Sequence, residues 1–205
     1  MIRVYRIPFS TNVERVALAA AYKGIEVEWV DVDPADRSPV REVSGQELVP
    51  VLVADEEVVF DSPRVLEWLE GRFPDPPLWP RDPARRAEAS IFVEWFNSVW
   101  KGPPNDLEAE LRREAPNAAL VDSLSARMAA WLDLFEELLT ARDHLLGEFG
   151  VADVIAFPFL KYGRLGLPEG DDELFHRILV DRQPIGEGHP RLAAWVDRVD
   201  TRPRA

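Results

Sequence analysis

Between Phe73 and Pro83 five of eleven residues are proline (Phe73-Pro74-Asp75-Pro76-Pro77-Leu78-Trp79-Pro80-Arg81-Asp82-Pro83). Proline removes a backbone donor and fixes φ, so a stretch this dense continues neither a helix nor a central strand. It predicts a boundary, with residues 1–73 as one domain, 74–83 as a linker and 84–205 as a second domain.

Before the boundary, residues 2–7 and 27–32 read as strands, and between them Val13, Val16, Ala17 and Ala20 recur at helical spacing until Gly24. A strand-helix-strand unit predicts parallel pairing with a right-handed crossover. Residues 35–43 read as a weak helix broken around Pro39, Val51–Ala54 and Val58–Phe60 as a hairpin about Asp55-Glu56-Glu57, and Pro63–Arg72 as a closing helix. The order is βαβαββα. After the boundary every periodic segment is helical. Ala84, Ala87, Ile91, Trp95 and Val99 share a face up to Gly102-Pro103-Pro104, and a short segment opens with Asn105 and Glu108 in capping spacing. Residues 117–141 form a long amphipathic helix, and 151–165 are apolar all round, with a kink predicted at Pro158. Residues 171–180 and 191–199 complete an all-α second domain.

Composition narrows the function. The chain has 205 residues, 46% of them hydrophobic, which is ample for a packed core. A net charge of −13 opposes phosphate backbones and anionic lipid, so neither nucleic acid nor membrane is expected as a partner. No cysteine is present, which removes disulfides, thiolate metal sites and redox chemistry on a protein thiol. His144, His176 and His189 share no metal-like spacing, so no metal is expected. Met1–Ile7 lacks a signal-peptide layout, which predicts a cytoplasmic location.

Two short motifs carry the chemistry. In Val49-Pro50-Val51-Leu52 a proline stands at the head of a strand, where a cis Val49-Pro50 peptide is expected to leave the Val49 N–H and C=O for another partner. In Asp61-Ser62-Pro63 the residues announce a helix start, with Ser62 expected at the N-cap and Pro63 first in the helix. Unsatisfied helix N–H groups beside an open strand suit an anionic, peptide-like ligand.

The element order resembles the thioredoxin-like fold, and the whole chain resembles the cytosolic glutathione transferases, in particular their serine-type bacterial members. The resemblance rests on Lys23-Gly24-Ile25, Val49-Pro50-Val51-Leu52, Asp61-Ser62, the proline-rich stretch, Leu146-Gly147 with Ala152-Asp153-Val154, and the run His189-Pro190-Arg191-Leu192-Ala193-Ala194-Trp195 ending at Thr201-Arg202-Pro203. It implies a homodimer that uses glutathione as co-substrate, with no permanently bound cofactor, on a small hydrophobic electrophile in detoxification or related peroxidase or isomerase chemistry.

The same resemblance assigns residues. A hydroxyl aimed at the sulfur lowers the thiol pKa. Counting back from Arg15, Ser10 or Thr11 falls on the catalytic position; Ser10 is favoured because Thr11 and Glu14 have capping-box spacing, and Asn12 is a further candidate. Val49 and Pro50 correspond to the backbone clamp on the cysteinyl part, Asp61 to the partner of the γ-glutamyl ammonium, and Ser62 to the partner of its carboxylate. Where the family has a basic or amide residue for the glycine carboxylate, this chain has Glu47-Leu48; Arg37, Arg41 or Gln46 are the substitutes, or the thiol is a different one. Phe9 and Trp100 are the expected lining of the electrophile pocket. Gly150 and Asp153 read as folding features. A non-catalytic binding or regulatory protein of the same fold is the alternative.

Overall fold

The computed structural model describes all of residues 1–205. Contacts divide the chain into two units: Met1–Arg81 together with Arg202–Ala205, and Asp82–Thr201.

The first unit is a four-stranded sheet of order β2-β1-β3-β4, built from β1 (Ile2–Arg6), β2 (Glu28–Asp31), β3 (Val51–Ala54) and β4 (Glu57–Phe60). β1 and β2 run parallel with Val4 opposite Trp29, as the strand-helix-strand pattern predicts. β3 runs antiparallel to both β1 and β4. Helix α1 (Thr11–Lys23) ends where Gly24 takes φ 65, a left-handed conformation that costs glycine little, and its N–H closes on Ala20 and Ala21. α2 (Ser38–Ser44) and α3 (Ser62–Arg72) complete this thioredoxin-like unit. All four β3 residues are buried, and Tyr5, Val13, Val40, Val49, Val51 and Val53 share one apolar cluster. The head of β3, the first turn of α1 and the start of α2 are therefore held by the same core.

The proline-rich stretch is folded onto this unit. Leu78 and Trp79 are buried, and their N–H groups donate to Glu70 at 2.9 and 3.3 Å. Glu70 is in turn paired with Lys23 at 2.7 Å, and the Lys23 ammonium donates to the carbonyls of Phe73 (2.6 Å) and Pro76 (2.8 Å). A buried ammonium is tolerated here because a carboxylate and two carbonyls surround it.

The second unit is all helix: α4 (Pro83–Trp95), a π-turn (Phe96–Trp100), α5 (Gly102–Leu111), α6 (Ala118–Leu138), α7 (Val151–Leu160), α8 (Tyr162–Leu165), α9 (Leu174–Arg182) and α10 (Pro190–Asp200). Its boundaries differ from the sequence reading: α6 ends at Leu138 rather than 141, α9 runs from Leu174 to Arg182 rather than over 171–180, and two further segments depart more. α5 starts at Gly102 and takes Pro103 and Pro104 into its first turn, so Asn105 is inside the helix and no cap forms there. Prolines are compatible with a first turn because their missing N–H groups have no helical partner anyway. The apolar 151–165 segment is two helices, α7 and α8, with Pro158 inside the first.

Two buried acids organise this unit. Asp153 accepts from the N–H groups of Leu145 (3.1 Å) and Gly150 (3.0 Å) and from the Trp195 indole (2.7 Å). Glu136 of α6 accepts from the N–H groups of Arg191 (3.1 Å) and Leu192 (2.8 Å), satisfying the first turn of α10. No helix is long and apolar enough to cross a membrane.

Candidate functional site

The loop after β1 reaches α1 through Phe9, whose φ is 58, and Ser10. Ser10, not Thr11, is the N-cap: its Oγ accepts from the Val13 N–H at 3.3 Å, and its carbonyl takes the Glu14 N–H at 3.0 Å. The capping box expected of Thr11 and Glu14 does not form. Thr11 is the first helical residue and is buried, because the chain enters the helix one residue earlier than Glu14 suggests. The cap uses only an oxygen lone pair of Ser10. Its hydroxyl proton remains for a donor role, at the positive end of α1 and at a half-buried position.

Asn12 is engaged elsewhere. Its Oδ1 accepts from Arg15 Nη1 at 3.1 Å and from the Ser62 hydroxyl at 3.2 Å, and Arg15 Nη1 also donates to Ser62 Oγ at 3.1 Å. These bonds place the starts of α1 and α3 side by side. Arg15 is fully buried; burial pulls its guanidinium down to about 9, and the nearby Asp61 carboxylate opposes that shift. The guanidinium therefore stays charged at neutral pH, beneath Asp61. Sequence reasoning used Arg15 only as a landmark. The missed signal is an arginine among Val13, Val16, Ala17 and Ala20, in a helix whose other buried positions are mostly apolar.

At the α3 start the N-cap is Asp61, with Ser62 and Pro63 as the first two helical residues, one position earlier than expected. Asp61 is exposed, has φ 73 and makes no side-chain cap bond. The N–H groups of Ser62 and Arg64 fall in the first turn, where a helix offers no acceptor of its own. Ser62 is 2% exposed, and its hydroxyl lies between Asn12 and Arg15.

The Val49-Pro50 peptide is cis. β3 begins only at Val51, and neither the N–H nor the C=O of Val49 takes a hydrogen bond within the chain. The residues before it are heavily self-engaged. Glu47 is ion-paired with Arg41, and its carbonyl accepts from Arg37 at 3.4 Å. Gln46 donates to Ser44 Oγ and to the Leu48 carbonyl, both at 2.9 Å, and its own oxygen takes the Leu48 N–H.

Beside Ser10 a groove of about 410 Å³ is lined by Ile7, Phe9, Val13 and Trp29, with Arg6 and Glu14 among its polar residues. Arg6 lies 5.1 Å over the Trp29 ring and is paired with Asp31 at 2.7 Å. Phe9 therefore lines an open groove. Trp100 is in the other unit, 1% exposed and stacked on Phe96 at 4.3 Å in the aromatic core.

Residues 4–77 match the family model of the glutathione S-transferase N-terminal domain. A probable maleylacetoacetate isomerase from Caenorhabditis elegans is 37% identical over 78 residues, 37% of this chain and 36% of that protein. A stringent starvation protein A homologue from Haemophilus influenzae is 26% identical over 190 residues, covering 92% of this chain and 80% of the relative. Among solved structures, a glutathione S-transferase from Methylobacterium radiotolerans, crystallised with glutathione sulfonate, superposes with a TM-score of 0.76 at 26% identity, over 98% of this chain and 91% of that one. Residues 4–77 thus carry a glutathione S-transferase N-terminal domain, and with a helical second unit the chain is similar to glutathione transferases along nearly its full length.

Proposed function

We propose that this chain is a glutathione transferase in which the Ser10 hydroxyl stabilises the bound thiolate for attack on a small hydrophobic electrophile. The supporting observation is the grouping of unused backbone and hydroxyl donors about one core. The Val49 peptide groups lack partners, α3 starts without a side-chain cap next to the exposed Asp61, and Ser10 retains its proton at the head of α1. Val49 and Pro50 hold the cysteinyl part, while Asp61 takes the γ-glutamyl ammonium. The α-carboxylate meets the Ser62 N–H and, across it, the charge of Arg15. The Ser62 hydroxyl positions Arg15 and Asn12 through the bonds it already makes.

The chemistry is one displacement or addition. A free thiol with a pKa of about 8.5 is mostly protonated at neutral pH. A hydroxyl donor and the positive end of α1 both favour the thiolate. The thiol proton leaves to solvent and the sulfur lone pair forms a bond to the electrophilic carbon; in a displacement the leaving group departs with its bonding electrons, and in an addition the acceptor's π electrons move to its far atom, which takes a proton from solvent. The groove beside Ser10, lined by Phe9, Val13 and Trp29 among others, is where the electrophile is placed.

A homodimer belongs to the same proposal. The apolar Ile91 of α4 and Val99 of the π-turn that follows it are 70% and 38% exposed on either side of Trp95, and light scattering is expected to give twice the 23.3 kDa chain mass. The deciding experiment is retention on immobilised glutathione followed by turnover of a chloronitrobenzene acceptor. The absence of both retention and turnover would refute the transferase. Retention without turnover favours a binding or regulatory role.

A further inference from the structure

Two arginines line the groove beside Ser10: Arg6 at the end of β1, and Arg204 after α10. Both are paired with a carboxylate, and they differ in what that pairing leaves over. Arg204 donates through Nε (3.3 Å) and Nη2 (3.1 Å) to Glu14 and through Nη1 to the Arg202 carbonyl at 2.7 Å, so all three of its nitrogens are engaged. Arg6 donates through Nε alone, to Asp31 at 2.7 Å. Its two terminal nitrogens bond to no acceptor in the protein, and together they form an edge of the guanidinium that can grip a carboxylate or sulfonate with two parallel bonds.

That open edge is held in place. Asp31 fixes the Nε side, and the Trp29 ring lies 5.1 Å from the guanidinium carbon. A planar fork braced by a carboxylate and an indole has little freedom left to lose when a ligand arrives. Trp29 also lines the groove, with Phe9 and Val13. A molecule that fills the groove with its reacting carbon by Ser10 therefore has apolar walls about its body and, in Arg6, an open cationic donor. The nearby carboxylates do not take that donor away, because Glu14 is occupied by Arg204 and Asp31 sits on the Nε edge. Two cations and two anions leave the groove's charge balanced, and the chain as a whole carries −13. An anion gains here from direct bonds to Arg6, not from a long-range field, which keeps the expected effect modest.

We propose that Arg6 is a specificity-determining residue, and that the acceptor it selects carries an anionic oxygen group, a carboxylate or sulfonate, on its apolar body. The proposal rests on the transferase reading of Ser10 and this groove. The bond changes at the reacting carbon stay as described above, and Arg6 exchanges no proton with the anionic group.

The test is steady-state turnover by the whole protein, at saturating glutathione, of a chloronitrobenzoate and of the corresponding neutral chloronitrobenzamide. Each variant is compared with wild type on both acceptors, which cancels their unequal intrinsic reactivity. Arg6→Met is expected to raise KM for the benzoate about fivefold relative to KM for the benzamide, the scale of one partly exposed charge pair, and the effect should shrink as salt rises. Arg6→Lys, which keeps the charge and loses the fork, should fall between the two, and it keeps the question open to measurement if the apolar variant melts early. Equal changes in KM for both acceptors would overturn the proposal, since Arg6 would then only shape the groove. So would a wild-type protein that turns over the benzamide and not the benzoate. If the wild-type protein turns over neither acceptor, the transferase reading falls and the proposal with it, whereas the first two failures leave that reading standing.

Discussion

Two aspartates stand at helix starts, Asp153 at α7 and Asp61 at α3, and the chain uses them in opposite ways. Asp153 is completely buried, and its oxygens serve Leu145, Gly150 and Trp195. Asp61 is exposed, bonds no N–H of its own helix and sits at a backbone angle that a side chain rarely adopts. A carboxylate at the positive end of a helix is favourable in both places. The difference lies in what remains after folding. Asp153 has no capacity left for a ligand, whereas Asp61 keeps all of its capacity, and the strained φ is what a residue held for binding rather than for stability would show.

Removing Asp153 should have the largest effect. Asp153→Ala strands three donors in the interior, and the expected loss is roughly 3 kcal/mol or more, read as a lowered midpoint in urea; a shift below a third of that would mean the two aspartates are not opposites. Arg15→Met is next. Ser62 and Asn12 can still bond to each other, so stability is expected to stay within about 2 kcal/mol of wild type. Glutathione affinity, in contrast, should fall roughly tenfold or more, as the loss of a charge under the α3 start predicts. Equal losses in both would make Arg15 a purely structural residue.

Ser10→Ala divides its effect between the two roles. The helix cap is worth about 1 kcal/mol, seen in a thermal melt. Independently, the absorbance titration of the bound thiol should move up toward the free value of about 8.5; an unmoved titration rejects the thiolate role. The smallest change expected in the melt comes from Asp61→Gly, and its sign is the informative part. Relief of the positive φ should stabilise the protein by about 0.5–1 kcal/mol, while thiol affinity weakens. A variant that is less stable, or one that binds thiol undiminished, would remove the contrast with Asp153.

Much of the architecture was legible because it depends on short-range rules. The 3.6-residue recurrence of Val13, Val16, Ala17 and Ala20, the glycine stop at Gly24 and the proline at the head of β3 each state a local conformation. The choice between Ser10 and Thr11 as cap was not legible. Two adjacent hydroxyls satisfy the same rule, and only the extended ψ of 113 at Ser10 decides. The extent of α5 was hidden because Gly102-Pro103-Pro104 reads as a stop yet suits a first turn. Arg15 escaped notice because its partners, Asn12, Ser62 and Asp61, come together only once α1 and α3 lie on the same sheet. A side chain's neighbours across 47 residues are a property of the fold, which no window along the chain contains.

The clamp formed by Lys23 and Glu70 has a practical consequence for anyone dividing this protein. A scissor cut at the first proline would leave an ammonium facing a carboxylate in a cleft stripped of its lid, with Leu78 and Trp79 gone from above it. The severed piece that keeps its shape should be the one that carries the prolines along.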